Sequence, residues 1–361
     1  MSTLSVCVIA KNEENVLNQC LSSIADFADE IIFVDTGSTD STVEIAKKFT
    51  KNIFSFPWID DFSAAYNFAL SKATMEYSCR WDADFVLTSE SFTSFQNLKR
   101  RNFDDKNIIH FTWNIEANHG VRTRKVMRAF ITKTGTFHFL YPIHAHFVPN
   151  TGVKVLEGFY HDISVDHIKD KELKKHRYTQ TQKILDKILL LYPHDPYLLF
   201  QNAEGLIYAE EFHKAINFLL QYLKYEDISH EEKRMIAIEK IVACYLNTAQ
   251  YDQARSFINE YIHYSKFPRF LLMQADVTAI FNFTAAETLY SKYLKIKFDP
   301  KDTVYSYDYY RYQVHPYVML FKISILQNDY SSAKKYLKNI NFSLCTDSVI
   351  AEIRILENKL K

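Results

Sequence analysis

The stretch Ser5-Val-Cys-Val-Ile-Ala10 is the first apolar run of the chain and reads as a strand buried on both faces of a sheet. After Asn12 the apolar residues change to helical spacing, with Val16, Cys20 and Ile24 on one face. Further strand-like runs, separated by helical patterns, follow at 30–34, 53–56 and 77–81. Apolar strands joined by helices predict a parallel α/β sheet covered on both faces.

Polar residues mark where the helices between these strands should begin. Asn12 is expected to cap the first helix, with Glu13 in its positively polarised first turn. Ser41 and Glu44 have the spacing of a capping box for the second helix. A third helix is expected from about Asp61 to Lys72.

Three of the strands end in polar residues. The first runs into Ala10 to Glu13, the second ends at Asp35, and the fourth is followed by Asp82-Ala83-Asp84. The carboxyl ends of parallel strands share one edge of a sheet, where the ligands of such sheets bind. The sequence therefore predicts a single binding site that combines Ala10, Asn12, Glu13, Asp35, Asp82 and Asp84.

The two halves of the chain differ in character. Two further strands are expected at 107–115 and 125–131, followed by a region rich in histidine that extends to His167. From about residue 169 the pattern is helical to the end. A chain of 361 residues is also long for a single core. We therefore expect an α/β domain over 1–168 and an all-α domain over 169–361.

The helical half repeats one pattern, an aromatic residue followed three positions later by alanine. The pairs are Phe212/Ala215, Tyr251/Ala254, Phe283/Ala286 and Tyr330/Ala333. A small residue at this position lets two helices of a pair approach closely, and the pattern resembles tetratricopeptide repeats. The repeat length is irregular, so a generic helical bundle is the alternative. Such repeats offer a concave surface for an extended peptide, or a surface for homodimerisation.

Charge and hydropathy exclude several classes of partner. Lys and Arg total 43 and Asp and Glu total 43, so the net charge gives no reason to expect nucleic acid as the main ligand. The sequence contains no run of about 18 apolar residues, so it predicts no membrane span. The five cysteines are odd in number and widely spaced, which favours reduced, buried thiols. With no leader pattern at Met1, these features predict a cytoplasmic protein.

The Asp82-Ala83-Asp84 motif has the spacing for a divalent metal site. Two carboxylates at i and i+2 of a strand end can bind a cation and a ribose, and the cation neutralises a diphosphate leaving group. A lone motif of this kind is more often a solvated turn, but here it follows a buried strand beside the strand that ends in Asp35. Asp35 can hydrogen-bond a nucleoside, cap its own turn, or do both.

Four blocks together resemble the family 2 glycosyltransferases: residues 5–14, 30–43, 61–70 and 81–84. The resemblance covers roughly the first 90 residues in the family's order. It implies an inverting enzyme with the A-type nucleotide-diphospho-sugar fold, a UDP-sugar donor and a requirement for Mg²⁺ or Mn²⁺. His161, in Phe159-Tyr160-His161-Asp162, matches a block in which a histidine binds the metal; a hydrogen-bonded structural histidine is the alternative.

The helical second half makes the layout similar to the sublancin-type peptide S-glycosyltransferases, which attach hexose to a cysteine of a bacteriocin precursor. This resemblance implies a peptide acceptor. Two alternatives stay open: a transferase for a lipopolysaccharide, capsule or Ser/Thr acceptor, and an inactive transferase fold that serves as a scaffold.

The chain departs from the relatives at two positions. They usually have Arg where this chain has Tyr66, so either another cation replaces that Arg or the donor differs. They also tend to have a Val-His-Glu motif whose Glu is a plausible base, whereas this chain has Ile143-His-Ala-His146. We therefore expect that His144 or His146 acts as the base, because a histidine suits proton removal from a thiol, or that no base is needed, because a cysteine acceptor partly ionises unaided.

Overall fold

The structure, a computed structural model, describes residues 1–116, 122–168, 174–225, 231–296, 298 and 306–360. Within these ranges, residues 112–116, 122–130, 161, 167, 174–180 and 306–307 are described by their backbone alone. The chain divides into two compact units, one formed by 1–115 and 125–191 and the other by 116–124 and 192–361. The expected boundary at 168/169 falls beside the undescribed residues 169–173 and stays a prediction.

The first unit is built on a mixed sheet flanked by helices. Its strands are β1 (Leu4–Ala10), β2 (Glu30–Asp35), β3 (Ile53–Ser55), β4 (Tyr77–Asp82), β5 (Phe85–Leu87), β6 (Ile108–Glu116), β7 (Arg122–Lys133), β8 (Phe137–Leu140), β9 (His146–Pro149) and β10 (Glu157–His167). Its helices are α1 (Leu17–Ile24), α2 (Thr42–Ala46), α3 (Phe62–Leu70), α4 (Ser89–Arg100) and α5 (Lys174–Leu191).

The large sheet has the strand order β3-β2-β1-β4-β7-β6-β10-β5, and β8 pairs with β9 in a separate hairpin. Strands β1 to β4 are parallel, as predicted, while β7 is antiparallel to β4. β6 and β10 are parallel to each other. The four apolar runs therefore form the parallel half of the sheet, with their carboxyl ends at one edge.

Both faces of the parallel half are buried, which explains why its strands are apolar throughout. Val6, Val8 and Ala10 pack on one face against α1. Cys7 and Ile9 pack on the other face, in a cluster that contains Ala65 of α3. The alternation follows from the period of two in a strand.

Two expected helix caps are not formed. Asn12 has a left-handed φ of 56°, α1 begins only at Leu17, and the Asn12 side chain accepts a bond from Thr39 instead. Ser41 precedes α2 but makes no side-chain cap bond. At Asn12 the loop after β2 provides the partner of the side chain, and at Ser41 the main-chain amide donates to Glu14 Oε2 over 3.0 Å. The third start is confirmed, because Asp61 Oδ1 accepts a 2.8 Å bond from the amide of Ala64.

The second unit is helical, as predicted. Its helices are α6 (Pro196–Tyr208), α7 (Phe212–Leu223), α8 (Glu231–Asn247), α9 (Tyr251–Glu260), α10 (Pro268–Phe281), α11 (Phe283–Tyr293), α12 (His315–Leu326), α13 (Tyr330–Leu337) and α14 (Asp347–Glu357). A short strand, β11 (Ser306–Asp308), precedes a single π-helical turn at Tyr310–Val314.

The repeated aromatic and alanine pairs mark the second helix of each hairpin. The hairpins are α6/α7, α8/α9, α10/α11 and α12/α13, and each second helix begins at the aromatic residue. Ala215, Ala254, Ala286 and Ala333 are all completely buried, as expected for residues at a close helix contact. The sequence pattern thus corresponds to a real repeat of helix pairs.

Candidate functional site

The carboxyl edge of the parallel strands brings Asp35 and Asp82 to the two sides of β1. Asp35 of β2 is paired with Ala10, and Asp82 of β4 is paired with Ile9. Two strand spacings separate their backbones by about 10 Å. Because the two registers differ by one residue, Asp82 projects to the α3 face of the sheet and Asp35 to the α1 face.

Asp35 holds the turn that follows its own strand. Its Oδ2 accepts a bond of 3.2 Å from the amide of Gly37, and its Oδ1 accepts one of 3.1 Å from the amide of Ser38. Gly37 has a φ of 103°, which a residue with a side chain rarely adopts. The turn-capping role expected for Asp35 is therefore present in the structure, and it orients the carboxylate at the edge.

The loop after β1 is fastened to the loop after β2. Asn12 Oδ1 accepts a 2.8 Å bond from the Thr39 amide, and the Asn12 amide donates to Ser38 Oγ over 3.1 Å. The Glu13 amide donates to Thr42 Oγ1 over 2.8 Å. These bonds join the two loops into one wall beside Ala10 and Asp35.

Asp82 lies in a polar cluster on the α3 face. Arg80 Nε donates to Asp82 Oδ1 over 3.1 Å, and an Arg80 Nη donates to Oδ2 over 3.0 Å. Tyr66 of α3 donates its hydroxyl to Asp82 Oδ1. Burial, and then the charge of Asp82, raise the pKa of Tyr66, so this hydroxyl stays a proton donor at neutral pH.

Arg80 was not among the residues predicted from the sequence. It is a charged residue inside the strand Tyr77–Asp82, and it stands two positions before Asp82. Residues at i and i+2 of a strand share a face. This spacing could have indicated that Arg80 pairs with Asp82. A guanidinium in a central strand also needs a partner, because burying an unpaired charge costs free energy.

Asp84 lies in a tight turn between β4 and β5. Ala83 is buried, and Trp81 Nε1 donates to the main-chain oxygen of Phe85 over 3.1 Å across the turn. The Asp84 main-chain oxygen accepts a 2.8 Å bond from Ile168. Asp84 itself is half-buried, as is Asp82.

His144 and His146 lie on the β8–β9 hairpin, which α3 holds against the same region. Asn67 of α3 makes two bonds to the backbone of Phe139, one of 2.9 Å to its oxygen and one of 2.8 Å from its amide. Phe139 packs on Tyr66, with 5.5 Å between ring centroids. His144 is exposed and has a left-handed φ of 51°, and His146 begins β9 and is half-buried.

The donor atoms present at this edge suit a hard cation. Carboxylate oxygens are the ligands that Mg²⁺ and Mn²⁺ prefer, and Asp84 carries such a group in the turn after β4. The side chain of His161, the expected third ligand, lies outside the described residues. Within the described part of the chain, no group of three or more His, Cys, Asp or Glu side chains is preassembled for a metal. The residues therefore fit a site that is completed by ligand oxygens and water.

A cavity of about 420 Å³ in the first unit lies away from this edge. It is lined by Asp29, Glu30 and Ile31 at the start of β2 and by Phe49 and Asn52 before β3. It therefore opens at the amino ends of the strands, opposite the cluster of carboxylates. The described helices include none that is long and apolar enough to cross a membrane.

Comparisons with known proteins find relatives that match parts of this chain. A TPR repeat-containing protein of Synechococcus elongatus is 38% identical over 112 residues, which are 31% of this chain and 27% of that protein. The glycosyltransferase SunS of Bacillus phage SPbeta is 26% identical over 255 residues, covering 63% of this chain and 56% of SunS. The chain thus spans between about a quarter and about half of the length of these relatives.

The crystal structure of S. aureus TarS superposes with a TM-score of 0.40 and 17% identity, covering 71% of this chain and 54% of TarS. Residues 5–155 match the family model described as glycosyl transferase family 2. That segment contains β1 to β9, the edge with Asp35, Asp82 and Asp84, and the hairpin with His144 and His146. Residues 5–155 of this chain therefore match the glycosyl transferase family 2 model, and a region of paired helices follows them.

Proposed function

We propose that this protein is a metal-dependent, inverting glycosyltransferase that takes a hexose from a UDP-sugar and gives it to a peptide. The observation that carries the proposal is the match of residues 5–155 to the family, since that segment contains the acidic edge of the sheet. In this proposal the donor lies at the edge formed by the ends of β1, β2 and β4.

The donor is held by the loops and carboxylates described above. Ala10, Asn12 and Glu13 contribute the wall beside the nucleotide, and Asp35 and Asp82 offer oxygens to the nucleoside. Asp82, Asp84 and His161 are the proposed residues around Mg²⁺ or Mn²⁺. Bound there, the cation would neutralise the charge that develops on the UDP leaving group.

Transfer with inversion requires an acceptor nucleophile on the face of the sugar opposite the leaving group. In our proposal His144 or His146 takes the proton from the acceptor thiol or hydroxyl. The sulfur or oxygen then bonds to the anomeric carbon as the bond from that carbon to the diphosphate oxygen breaks, and UDP leaves with the electron pair. Asn67 of α3 bonds to the hairpin, and Tyr66 of the same helix donates a hydrogen bond to Asp82. Because one helix contacts both parts, the position of the hairpin supports this assignment.

The acceptor is proposed to be a cysteine-containing peptide. The similarity to SunS over 63% of this chain supports a relationship that extends beyond the family domain. The helix pairs after residue 196 offer repeated surfaces of the kind that bind extended chains. A cysteine thiol ionises near pH 8.5 without assistance, so a histidine suffices as its base. Homodimerisation through the helices and a cytoplasmic location remain predictions.

The proposal is tested by incubating the protein with Mn²⁺, a panel of UDP-sugars and peptides that differ only by Cys, Ser or Thr at one position. Mass spectrometry should show the mass of one hexose on the Cys peptide and none with Asp84→Asn. If the donor is consumed only with a lipid-linked acceptor, the acceptor is a lipid-linked molecule and not a peptide. Failure of the intact protein to bind UDP would favour a scaffold role over any transferase.

A further inference from the structure

A cavity of about 250 Å³ lies in the second unit, between the first helices of two neighbouring pairs. Its walls come from α8 and α10, which contact each other, and from the π-helical turn that precedes α12. In a stack of helix pairs the first helices lie side by side and form one continuous surface. The cavity is therefore a recess in a surface along which an extended chain can lie.

Much of the wall of this cavity is aliphatic. Val242 and Leu246 of α8 line it together with Met273 of α10, and Val242 and Met273 are almost fully buried. Ala243 also lines it, and its side chain is small and exposed, so this side of the cavity is open to solvent. Such a wall can pack against the hydrocarbon part of a bound side chain.

Three charged side chains line the same cavity: Glu239, Asp276 and Arg311. Asp276 Oδ1 accepts a bond of 2.6 Å from Tyr290 and forms one of 2.7 Å with His315. The other oxygen of Asp276 forms an ion pair with Arg311. Both oxygens of Asp276 are thus engaged within the protein, and Arg311 balances the charge of one of the two carboxylates.

Glu239 is the less saturated of the two carboxylates. Its Oε2 accepts a bond of 3.1 Å from Arg269, a guanidinium that also lies 3.8 Å from Glu232. Its Oε1 lies 4.0 Å from Arg311 Nε, which is beyond hydrogen-bond distance, and its side chain is 25% exposed. With Asp276, three carboxylates and two guanidiniums form this network within the described part of the second unit. An added positive charge beside Glu239 would improve the balance.

We propose that this cavity binds a lysine or arginine side chain of the peptide acceptor. The aliphatic wall packs against the stem of that side chain, and Glu239 Oε1 accepts a charge-assisted hydrogen bond from its cationic head. An apolar side chain of the same length gains the wall but not the charge. The inference rests on the proposed function, because it names the type of residue by which the acceptor binds to the helical unit.

The test measures the binding of a fluorescein-labelled peptide to the intact protein by fluorescence anisotropy. The probe consists of Ser and Ala with Lys at every third position, and matched peptides carry acetyllysine, norleucine or Glu at those positions. We expect the Lys peptide to bind at least about tenfold more tightly than each matched peptide, because only Lys joins an aliphatic stem to a positive charge. Equal or tighter binding of the norleucine peptide would overturn the proposal.

Two substitutions at one exposed position locate the binding. Asn247 lines the cavity at the end of α8. Asn247→Asp should tighten the binding of the Lys peptide about two- to threefold, and Asn247→Lys should weaken it by a similar factor. Lys suits the carboxyl end of a helix better than Asp does, so the effects on stability have the opposite sign and cannot produce this result. Equal binding by the two variants would contradict the proposal.

Glu239→Gln keeps the shape of the side chain and removes its charge, so the advantage of the Lys peptide over the acetyllysine peptide should fall below about threefold. Because Glu239 also bonds to Arg269, a second variant leaves every charge in place. Ala243→Leu should fill the opening and weaken binding at least about tenfold. Glu260→Gln, at an exposed position on α9, is the matched control and should bind like the native protein. Equal loss in Glu239→Gln and Glu260→Gln would overturn the proposal, as would native binding by Ala243→Leu.

Sedimentation of the native protein and of Ala243→Leu shows whether a second copy of the chain occupies the cavity. We expect the oligomeric state to be the same in both. A native dimer that dissociates in Ala243→Leu would assign the surface to self-association and overturn the proposal.

The failure of this inference can be told apart from failure of the proposed function. If hexose is transferred to the Cys peptide while the Lys and acetyllysine probes bind equally, only the role of the cavity is wrong. If the Lys probe binds at the cavity but the protein binds no UDP and modifies no peptide, the proposed transferase is wrong and the site for a basic peptide remains.

Discussion

At the scale of single residues, the site is governed by how each acidic group is balanced. Asp35 is bonded to the amides of its own turn, Asp82 to Arg80 and Tyr66, and Asp84 lies in the turn between β4 and β5. Three carboxylates at one edge thus have three different environments. We expect them to differ in function for this reason, although the sequence presents them as equivalent.

Substitution of Tyr66 by Phe tests the weight of a single hydroxyl. The ring that lies against Arg80 remains, and only the bond to Asp82 is lost. We expect a loss of about 1.5–3 kcal/mol in the free energy of unfolding, the range for a hydrogen bond to a charged group. Chemical denaturation measures it. Tyr251→Phe, at an exposed position, is the control. If Tyr66→Phe lowers the free energy of unfolding no more than the control does, the bond to Asp82 does not stabilise the fold.

The sequence was informative about the positions of the aspartates and uninformative about their partners. Periodicity identified the strands, and strand ends identified the edge. Arg80 and Tyr66 meet only because α3 packs on the face of β4 that carries Asp82, which depends on tertiary packing. For the same reason Asn12 was expected as a cap, whereas Thr39 from a loop 27 residues away binds its side chain.

At the scale of elements, α3 connects the two parts of the proposed site. One end of it carries Asp61 as a cap, its middle presents Tyr66 to Asp82, and Asn67 fastens the β8–β9 hairpin. Movement of this helix would therefore displace the acidic edge and the two histidines together.

Asn67→Ala should weaken the attachment of the β8–β9 hairpin to α3. Both main-chain groups of Phe139 lose their partner, so we expect destabilisation of about 1–3 kcal/mol. Turnover should fall more than UDP affinity, because the hairpin carries the proposed base and not the donor. Steady-state kinetics and calorimetry separate the two effects. Asn97→Ala on the exposed face of α4 is the control and should change neither.

The turns between paired helices carry strain that can be relieved. Ala249 has a φ of 55° at the α8–α9 turn, where the Gln250 amide bonds back to the Tyr245 oxygen. A left-handed conformation costs a residue with a side chain about 1–2 kcal/mol relative to glycine. Ala249→Gly should therefore raise the melting temperature. Ala351→Gly, at an exposed position inside α14, should lower it, and a decrease in both would refute the assignment of strain.

At the scale of the whole molecule, each unit has its own source of stability. The second unit contains a buried ionic cluster around Asp276, which accepts a 2.6 Å bond from Tyr290 and a 2.7 Å bond from His315 and forms an ion pair with Arg311. Burial alone would raise the pKa of Asp276, but Arg311 and His315 outweigh it and hold the pKa below its usual value.

The sign of this shift predicts how acid affects the second unit. Because the folded pKa is depressed, the stabilisation from Asp276 is present above the unfolded pKa of about 3.9 and is lost as pH falls below it. Asp276→Asn should be destabilised near pH 7, and its unfolding temperature should fall less steeply than that of the native protein between pH 5 and 3. Parallel pH profiles of the two proteins would contradict this.

The two-part architecture was predictable because each half of the chain repeats one pattern of its own. Continuous apolar runs, without alternating polar residues, indicated the strands of the parallel sheet. Four pairs of an aromatic residue and an alanine indicated the helix hairpins, and the second helix of each hairpin begins at the aromatic residue of its pair. The ion cluster around Asp276 was not predictable, since its members are spread over three helices and a π-helical turn that meet only in the folded unit.

The central claim is that the acidic edge of the first sheet binds a nucleotide diphosphate through a cation. It is tested most directly by calorimetric titration of UDP with Mn²⁺ into the intact protein and into two variants with the same loss of charge. We predict one UDP per chain, no binding by Asp84→Asn, and native binding by Asp26→Asn, an exposed position that precedes β2 at the other end of the sheet. Absence of binding in the native protein, or equal loss in both variants, would contradict the account.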